Sequence, residues 1–514
     1  MASLSVEEMS GSAVVPSGVF GPQWCEPGLL SRAGRYPLAV EAPLMAAVGM
    51  LAPGVSTVTR YARYYSLYWA LAAHVYDAGL TRDECRQLLR RAEVGLARIS
   101  QFHDDPDDAL GVAHGVDALG RLDPAEGAEF TVADSAGSGS YSPRSWGFWS
   151  QYNGPSVALG TAALEGGILR PGRHPCPRQV AEMFAPLISI AGRGTGLRLP
   201  MPELEPLSLN HSAPTPDIAP LASVFTATTA AGRHEPEDWT GDDLTRRATL
   251  RILARSWQLN PDADTWLQAF ANGVAYGSAA REDPLLAAEQ RTAAWRGVVL
   301  RHHSVGAWRR LWASLVQEVR GTEAASRAHL HDWITGELPS GSVAEFEAAL
   351  PPIADGHGDP LAAEDRLPFD GLTADVAVLL LGARRLSTLS GVALHSFSGR
   401  RPTYLDPTWV AHVQREYAAR PLAELGRRLI DDMLAQSRRI ALRKVRFHRD
   451  GTMSLFTRLH ERNGTYFADS AEGRGNIGLR VNQLAGIGVQ LGLMTPDGSK
   501  PVTSRGGEFL DVPV

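Results

Sequence analysis

Residues 44–76 read LMAAVGMLAPGVSTVTRYARYYSLYWALAAHVY, small apolar and aromatic side chains broken once, at Pro53-Gly54. A Pro-Gly break between two helical runs predicts a helical hairpin. Working outward, Thr81 and Glu84 form a capping box, and Cys85, Leu88, Leu89, Ala92 and Leu96 then recur on one helical face. A third helix over Thr81 to Ser100 follows. Convincing strand alternation is scarce elsewhere, so the fold class is mainly α, a multi-domain helical protein with winged-helix-like modules and small β-hairpins.

The polar break His103 to Asp108 and the Gly/Ser loop 133–145 close an N-terminal helical bundle, residues 1–132. Residues 146–197 read as a helix, a short strand, a Pro/Gly turn and a second helix, the plan of a winged helix. The C-terminal stretch repeats that plan more clearly. There a helix buries Val481, Leu484, Ile487 and Leu491, Leu493-Met494 enters a strand, Pro496-Asp497-Gly498 turns the wing, and Thr503 caps a final helix. Gly167 and Pro171 match Gly492 and Pro496 at one offset, a weak pseudo-repeat. Residues 198–240 are proline-rich and aperiodic and predict a linker or an extended wrap. A central helical domain, 241–420, carries Trp257, Trp266, Trp295, Trp308 and Trp312 as core side chains, its helix 285–319 interrupted near His302-His303. Ser342 and Glu345 form another capping box. A basic helix leads into the C-terminal module, 421–514.

The chain has 514 residues, 50 basic and 56 acidic, and 44% hydrophobic side chains. Disordered and fibrous classes are excluded. Only Lys444 and Lys500 are lysines, an arginine preference that reads as GC-rich bacterial coding. Three scattered cysteines, Cys25, Cys85 and Cys176, offer neither a disulfide framework nor zinc spacing. The N-terminus lacks a basic region before an apolar stretch, and no apolar window reaches the length of a membrane span. The cytoplasm is the expected compartment.

No GxSxG, GxxxxGK[ST] or strand-linked GxGxxG occurs. His74, His103-Asp104 and Asp117 or Asp134 hold the residue types of a helical metal phosphohydrolase, but the His-Asp pair abuts Pro106 in an acidic stretch. His302-His303 and His329/His331 lack a companion carboxylate at ligand spacing. No catalytic residue, metal ligand or cofactor is therefore assigned. Residues 427–480 hold twelve basic and six acidic side chains, against a chain net charge of -6. Within or beside them Arg438, Arg439, Arg443, Lys444, Arg446 and Arg480 are candidate phosphate contacts. Arg60 and Arg63, interleaved with Tyr61, Tyr64, Tyr65 and Tyr68, form a second candidate. The alternative for that helix is that its tyrosines pack the bundle while its arginines pair with carboxylates.

The run PGVSTVTRYARYYSLYWAL at 53–71 resembles a motif of uncharacterised bacterial proteins encoded in anti-phage defence and restriction-like loci. Leu89 to Glu93, Tyr152 to Pro155 with Leu159-Gly160, and Arg438 to Lys444 look like the same layout. The resemblance implies a defence context, with DNA and other defence-system proteins as partners, and transfers no active site. The expectation is a non-catalytic nucleic-acid-binding or scaffold subunit. A metal-dependent phosphohydrolase or nuclease, or a purely structural interaction subunit, are the alternatives.

Overall fold

The computed structural model describes residues 29–103, 128–134, 147–211, 214–399, 402–496, 498 and 500–514. Cys25, Asp104, Asp117 and Asp497 lie outside them. The fold is mainly α with small sheets. Contacts divide it into two compact units. The larger comprises Val40–Leu311, Glu337–Leu425 and Arg474–Val514, and the smaller gathers the segment ending at Ala39, Trp312–Gly336 and Gly426–Gly473. Helices Gln290–Gly321 and Leu422–Arg443 contribute residues to both. This division differs from the five consecutive segments expected, because distant stretches assemble by contact.

In the larger unit the hairpin forms as Ala42–Leu51 and Ala62–Asp77, followed by Arg82–His103. Thr81 and Glu84 bond reciprocally at that helix start. The helix Ala62–Asp77 is apolar on nearly every side, and a helix of that kind must be buried. Tyr64, Tyr65 and Tyr68 are fully buried. Tyr65 stands edge-on to Tyr152 at 5.0 Å and to Phe225 at 5.3 Å, and Tyr68 tilts against Phe148 at 4.9 Å. Such pairs add about 0.5–1.5 kcal/mol each beyond burial. Buried hydroxyls need acceptors, and they have them. Tyr65 Oη donates to Gly54 O at 2.7 Å and Tyr68 Oη to Glu93 Oε1 at 2.9 Å.

The Pro-rich stretch 198–240 is not a free linker. It folds as short helices, Met201–Leu204 and Ile218–Thr226 among them, with Leu204, Leu221 and Phe225 buried. Arg246 holds it in place: the fully buried guanidinium donates to Val224 O, Phe225 O and Asp243 Oδ1. Asp243 also receives Arg173 at 2.6 Å. Helix Gln290–Gly321 runs unbroken through His302-His303, a correction to the expected interruption. Trp295, Trp308 and Trp312 along it are buried, and adjacent histidines do not break a helix that such packing fixes.

Both winged-helix candidates place a helix before a turn-and-strand element. In the first, helix Asn153–Leu159 precedes the antiparallel pair Ala162–Glu165 and Ile168–Pro171, then helix Arg178–Gly192. In the second, helix Val481–Gln490 precedes a single bridge, Met494 to Val502, and the Thr503-capped helix Ser504–Leu510. Val481, Leu484, Ile487 and Leu491 are buried. The register of the likeness changes. Leu159-Gly160 and Leu491-Gly492 both end the first helix, with Gly160 at φ 81° and Gly492 at φ 68°. That left-handed conformation favours glycine, whereas Gly167 sits in the hairpin turn between the two strands.

The smaller unit carries two three-stranded sheets. Leu29–Arg32 pairs in parallel with Met453–Phe456, which also pairs with Arg446–Phe447. Thr465–Ala468 lies between Leu459–Arg462 and Ala325–Ser326. The turn joining Leu459–Arg462 to Thr465–Ala468 is Asn463-Gly464, with φ 53° and 76°, the pair that a tight hairpin turn prefers. Among the described residues no helix is long and apolar enough to cross a membrane.

Candidate nucleic-acid interface

The outer stripe of helix Leu422–Arg443 repeats at steps of three and four: Asp431, Ala435, Arg438/Arg439, Leu442/Arg443. Residues so spaced share one helical face. That face lines an open groove of about 800 Å³ together with Arg327, Glu461 and Tyr466. A second cavity of about 450 Å³ lies beside it and shares Leu434, Arg438, Leu442, Glu461 and Tyr466 as lining.

The groove is neutral at one end and basic at the other. Arg327 grips Asp431 through two bonds, at 2.6 and 2.5 Å, and His331 Nε2 donates to the same carboxylate at 2.8 Å. Burial pushes the Asp431 carboxyl up, but these donors outweigh it and hold it below its ordinary value. Arg428 neutralises Asp432 at 2.5 Å. Arg438 is 71% exposed and meets Glu461 at 3.0 Å. Arg439 is exposed and donates to Gln436 Oε1. Arg443 is exposed and has no hydrogen-bond or ion-pair partner among the described residues. Tyr466 is half-buried, its phenol held above the ordinary pKa by burial and by Glu461. Beyond the helix end, Arg446 lies over the Phe456 ring at 5.4 Å, and Arg449 and Phe447 are exposed. The arrangement offers guanidinium forks beside apolar and aromatic surface, the chemistry that holds phosphates and stacks on bases.

Of the eight candidate residues, Arg438, Arg439 and Arg443 line this groove and Arg446 is exposed in the same unit. Lys444 is not a free surface charge: its ammonium donates to the carbonyls of Arg35 and Tyr36, because it falls where the N-terminal segment passes. The other three belong to the larger unit. Arg60 is exposed, with its carbonyl accepting from Gln490 Nε2 at 2.7 Å. Arg63 is corrected: it is 4% exposed and pairs with buried Asp217 at 3.0 Å. Arg480 is likewise committed, donating to Val55 O at 2.7 Å and Ala52 O at 3.3 Å, and burial lowers its pKa. The Pro-Gly turn and its tyrosine helix are therefore held from inside, the packing alternative for that motif.

Sequence reasoning left out Tyr466, Arg327 and the strands that carry Glu461. Asn463-Gly464 was the signal available for that hairpin. The metal-site candidates are dispersed. His103 Nε2 donates to Met201 O at 2.8 Å, Asp134 takes Arg91, and His74 is exposed. Tyr276 Oη and His303 Nε2 bond at 2.9 Å, and His329 meets Glu318 at 2.7 Å. Among the described residues no three His, Cys, Asp or Glu side chains converge as metal ligands.

No protein-family model, curated protein or solved structure matches the chain.

Proposed function

We propose that this chain is a non-catalytic nucleic-acid-binding subunit that contacts the DNA backbone through the Arg438/Arg439/Arg443 face, as part of a cytoplasmic bacterial anti-phage defence assembly. One observation carries the binding reading: three arginines on one helical face line a groove whose acidic end is already neutralised by Arg327 and Arg428. The described part of the smaller unit has 14 basic and 9 acidic side chains, whereas the whole chain is net -6. The basic excess is local. Arginine forks without base-reading partners favour phosphate contact over sequence readout. The defence context rests on the resemblance at residues 53–71 alone, and the helix-and-turn modules are proposed as winged-helix elements that pack against protein.

Fluorescence anisotropy with labelled duplex and single-stranded DNA, titrated across salt, tests the reading. The expected affinity falls steeply with salt, and the triple variant Arg438→Glu, Arg439→Glu, Arg443→Glu binds neither probe. Unchanged affinity in that variant would remove the face. Exposed Leu442 and Phe447, 62% and 81% accessible, support a second reading in which the same face docks a partner protein. That reading gains if neither DNA binds at low salt.

A further inference from the structure

The larger unit holds a separate cavity of about 460 Å³. Thr292, Ala293 and Arg296, on one face of the first turns of helix Gln290–Gly321, line one side together with Gln290. Ser390 and Ala393, at the start of helix Gly391–Ser398, line another. The volume suits a small-molecule ligand.

Its charges resolve one by one. Arg281 pairs with Asp359 at 2.7 Å. Glu289 stands 3.7 Å from Arg251 and 3.8 Å from Arg291. Arg296 is left over. It is half-buried, has no hydrogen bond or ion pair among the described residues, and its Nε is sealed from solvent without an acceptor. Thr292 is 5% exposed and its hydroxyl also has no partner. Burial, with Arg385 adding to it, lowers the Arg296 pKa, and no carboxylate opposes this. An unpaired, partly desolvated cation is costly unless an anion joins it.

The neighbouring helix brings more positive character to the same place. A Cβ at position 297 would lie 2.2 Å from Ala393 O, so glycine there lets the two helices touch backbone to backbone. Arg301 ties the far end of the short helix, donating to Phe397 O at 2.6 Å. Ser390 occupies the N-cap position, and its hydroxyl makes no capping bond. The first-turn amides of a helix have no acceptor within it, and they favour anions.

We propose that this cavity binds a small phosphate-bearing molecule, gripped by the Arg296 guanidinium, the Ser390 hydroxyl and the first amides of helix Gly391–Ser398. A guanidinium fork plus hydroxyl and amides supplies more donors than the two oxygens of a carboxylate use, and phosphate oxygens match them. Val274, Leu286 and Leu389 give the apolar wall against which an organic body lies. The inference is independent of the basic face in the smaller unit.

Isothermal titration calorimetry of the full chain at low ionic strength, with AMP, inorganic phosphate and citrate as probes, tests it. AMP is expected to bind saturably and to be displaced by inorganic phosphate. Arg296→Gln should weaken AMP by about tenfold or more, while Arg291→Gln leaves it unchanged. Ser390→Asp sets a carboxylate at the N-cap, so it should raise Tm and abolish AMP binding. No heat from AMP or phosphate at about 10 mM, or binding of citrate alone, overturns the proposal. So does unchanged AMP affinity in Arg296→Gln or, where that variant fails to fold, in Ser390→Asp.

Discussion

The Arg438 guanidinium and the Glu461 carboxylate meet at 3.0 Å, and both residues line two cavities, of about 800 and 450 Å³. The helix supplies the cation and the strand Leu459–Arg462 the anion. Exposed pairs of this kind contribute about 0.2–1 kcal/mol to stability. The effect of the carboxylate on binding is larger than on folding, because it competes with phosphate for Arg438.

Glu461→Gln is therefore expected to leave Tm nearly unchanged and to tighten DNA binding by about threefold at low salt. Anisotropy titrations of wild type and variant measure it. Equal or weaker affinity in the variant would place Arg438 outside the contact.

Among the described residues Arg443 has no partner to lose. Arg443→Gln should remove about one phosphate contact, reducing the slope of log affinity against log salt by about 0.9. A slope equal to wild type would count against it.

Arg63 and Arg60 sit three residues apart with opposite fates. Arg63→Ala strands the buried Asp217 carboxylate and should cost about 3–5 kcal/mol. Arg60→Ala, on the surface, should stay within about 0.5 kcal/mol. Urea unfolding of both variants decides; similar losses would contradict the burial of the Arg63–Asp217 pair.

Tyr65→Phe keeps the ring in its aromatic cluster and deletes the hydroxyl, with its bond to Gly54 O and its interaction with Thr59. The turn carbonyl is then left short of a donor, at a cost of about 1–2 kcal/mol, with DNA binding unaffected. A neutral substitution would mean that the hydroxyl does not hold the turn.

His302 is largely buried, its Nε2–H donating to Ile477 O at 2.8 Å, and burial lowers its pKa from 6.5 to about 4. The unfolded chain takes up that proton first. The stability contributed by neutral His302 is complete above about pH 6.5 and drains away as pH falls toward 4, about 3 kcal/mol in all. His302→Gln should flatten the urea-midpoint profile across that window, and an unchanged profile would assign the acid sensitivity elsewhere.

Local chemistry made much of the helical architecture legible. Pro53-Gly54 broke the first helices where it had to, and Thr81/Glu84 and Ser342/Glu345 opened helices as capping boxes. The buried face of Val481, Leu484, Ile487 and Leu491 followed from spacing alone. These are nearest-neighbour effects, written within a few residues. The Asn463-Gly464 turn is equally local, its two left-handed residues closing the hairpin within a few positions.

What only the tertiary structure decided is where each polar group ends up. Arg63, Lys444 and Arg480 look like surface cations in the sequence, yet their partners, Asp217, the carbonyls of Arg35 and Tyr36, and those of Ala52 and Val55, are mostly far along the chain. Arg246 turns a proline-rich stretch into part of the fold for the same reason. Among the described residues Arg296 has no ion-pair partner, because its neighbours' carboxylates are spent on other arginines. Helix starts and apolar faces are set by sequence separation of a few residues, whereas the pairing of charges is set by burial, which the assembled chain alone defines.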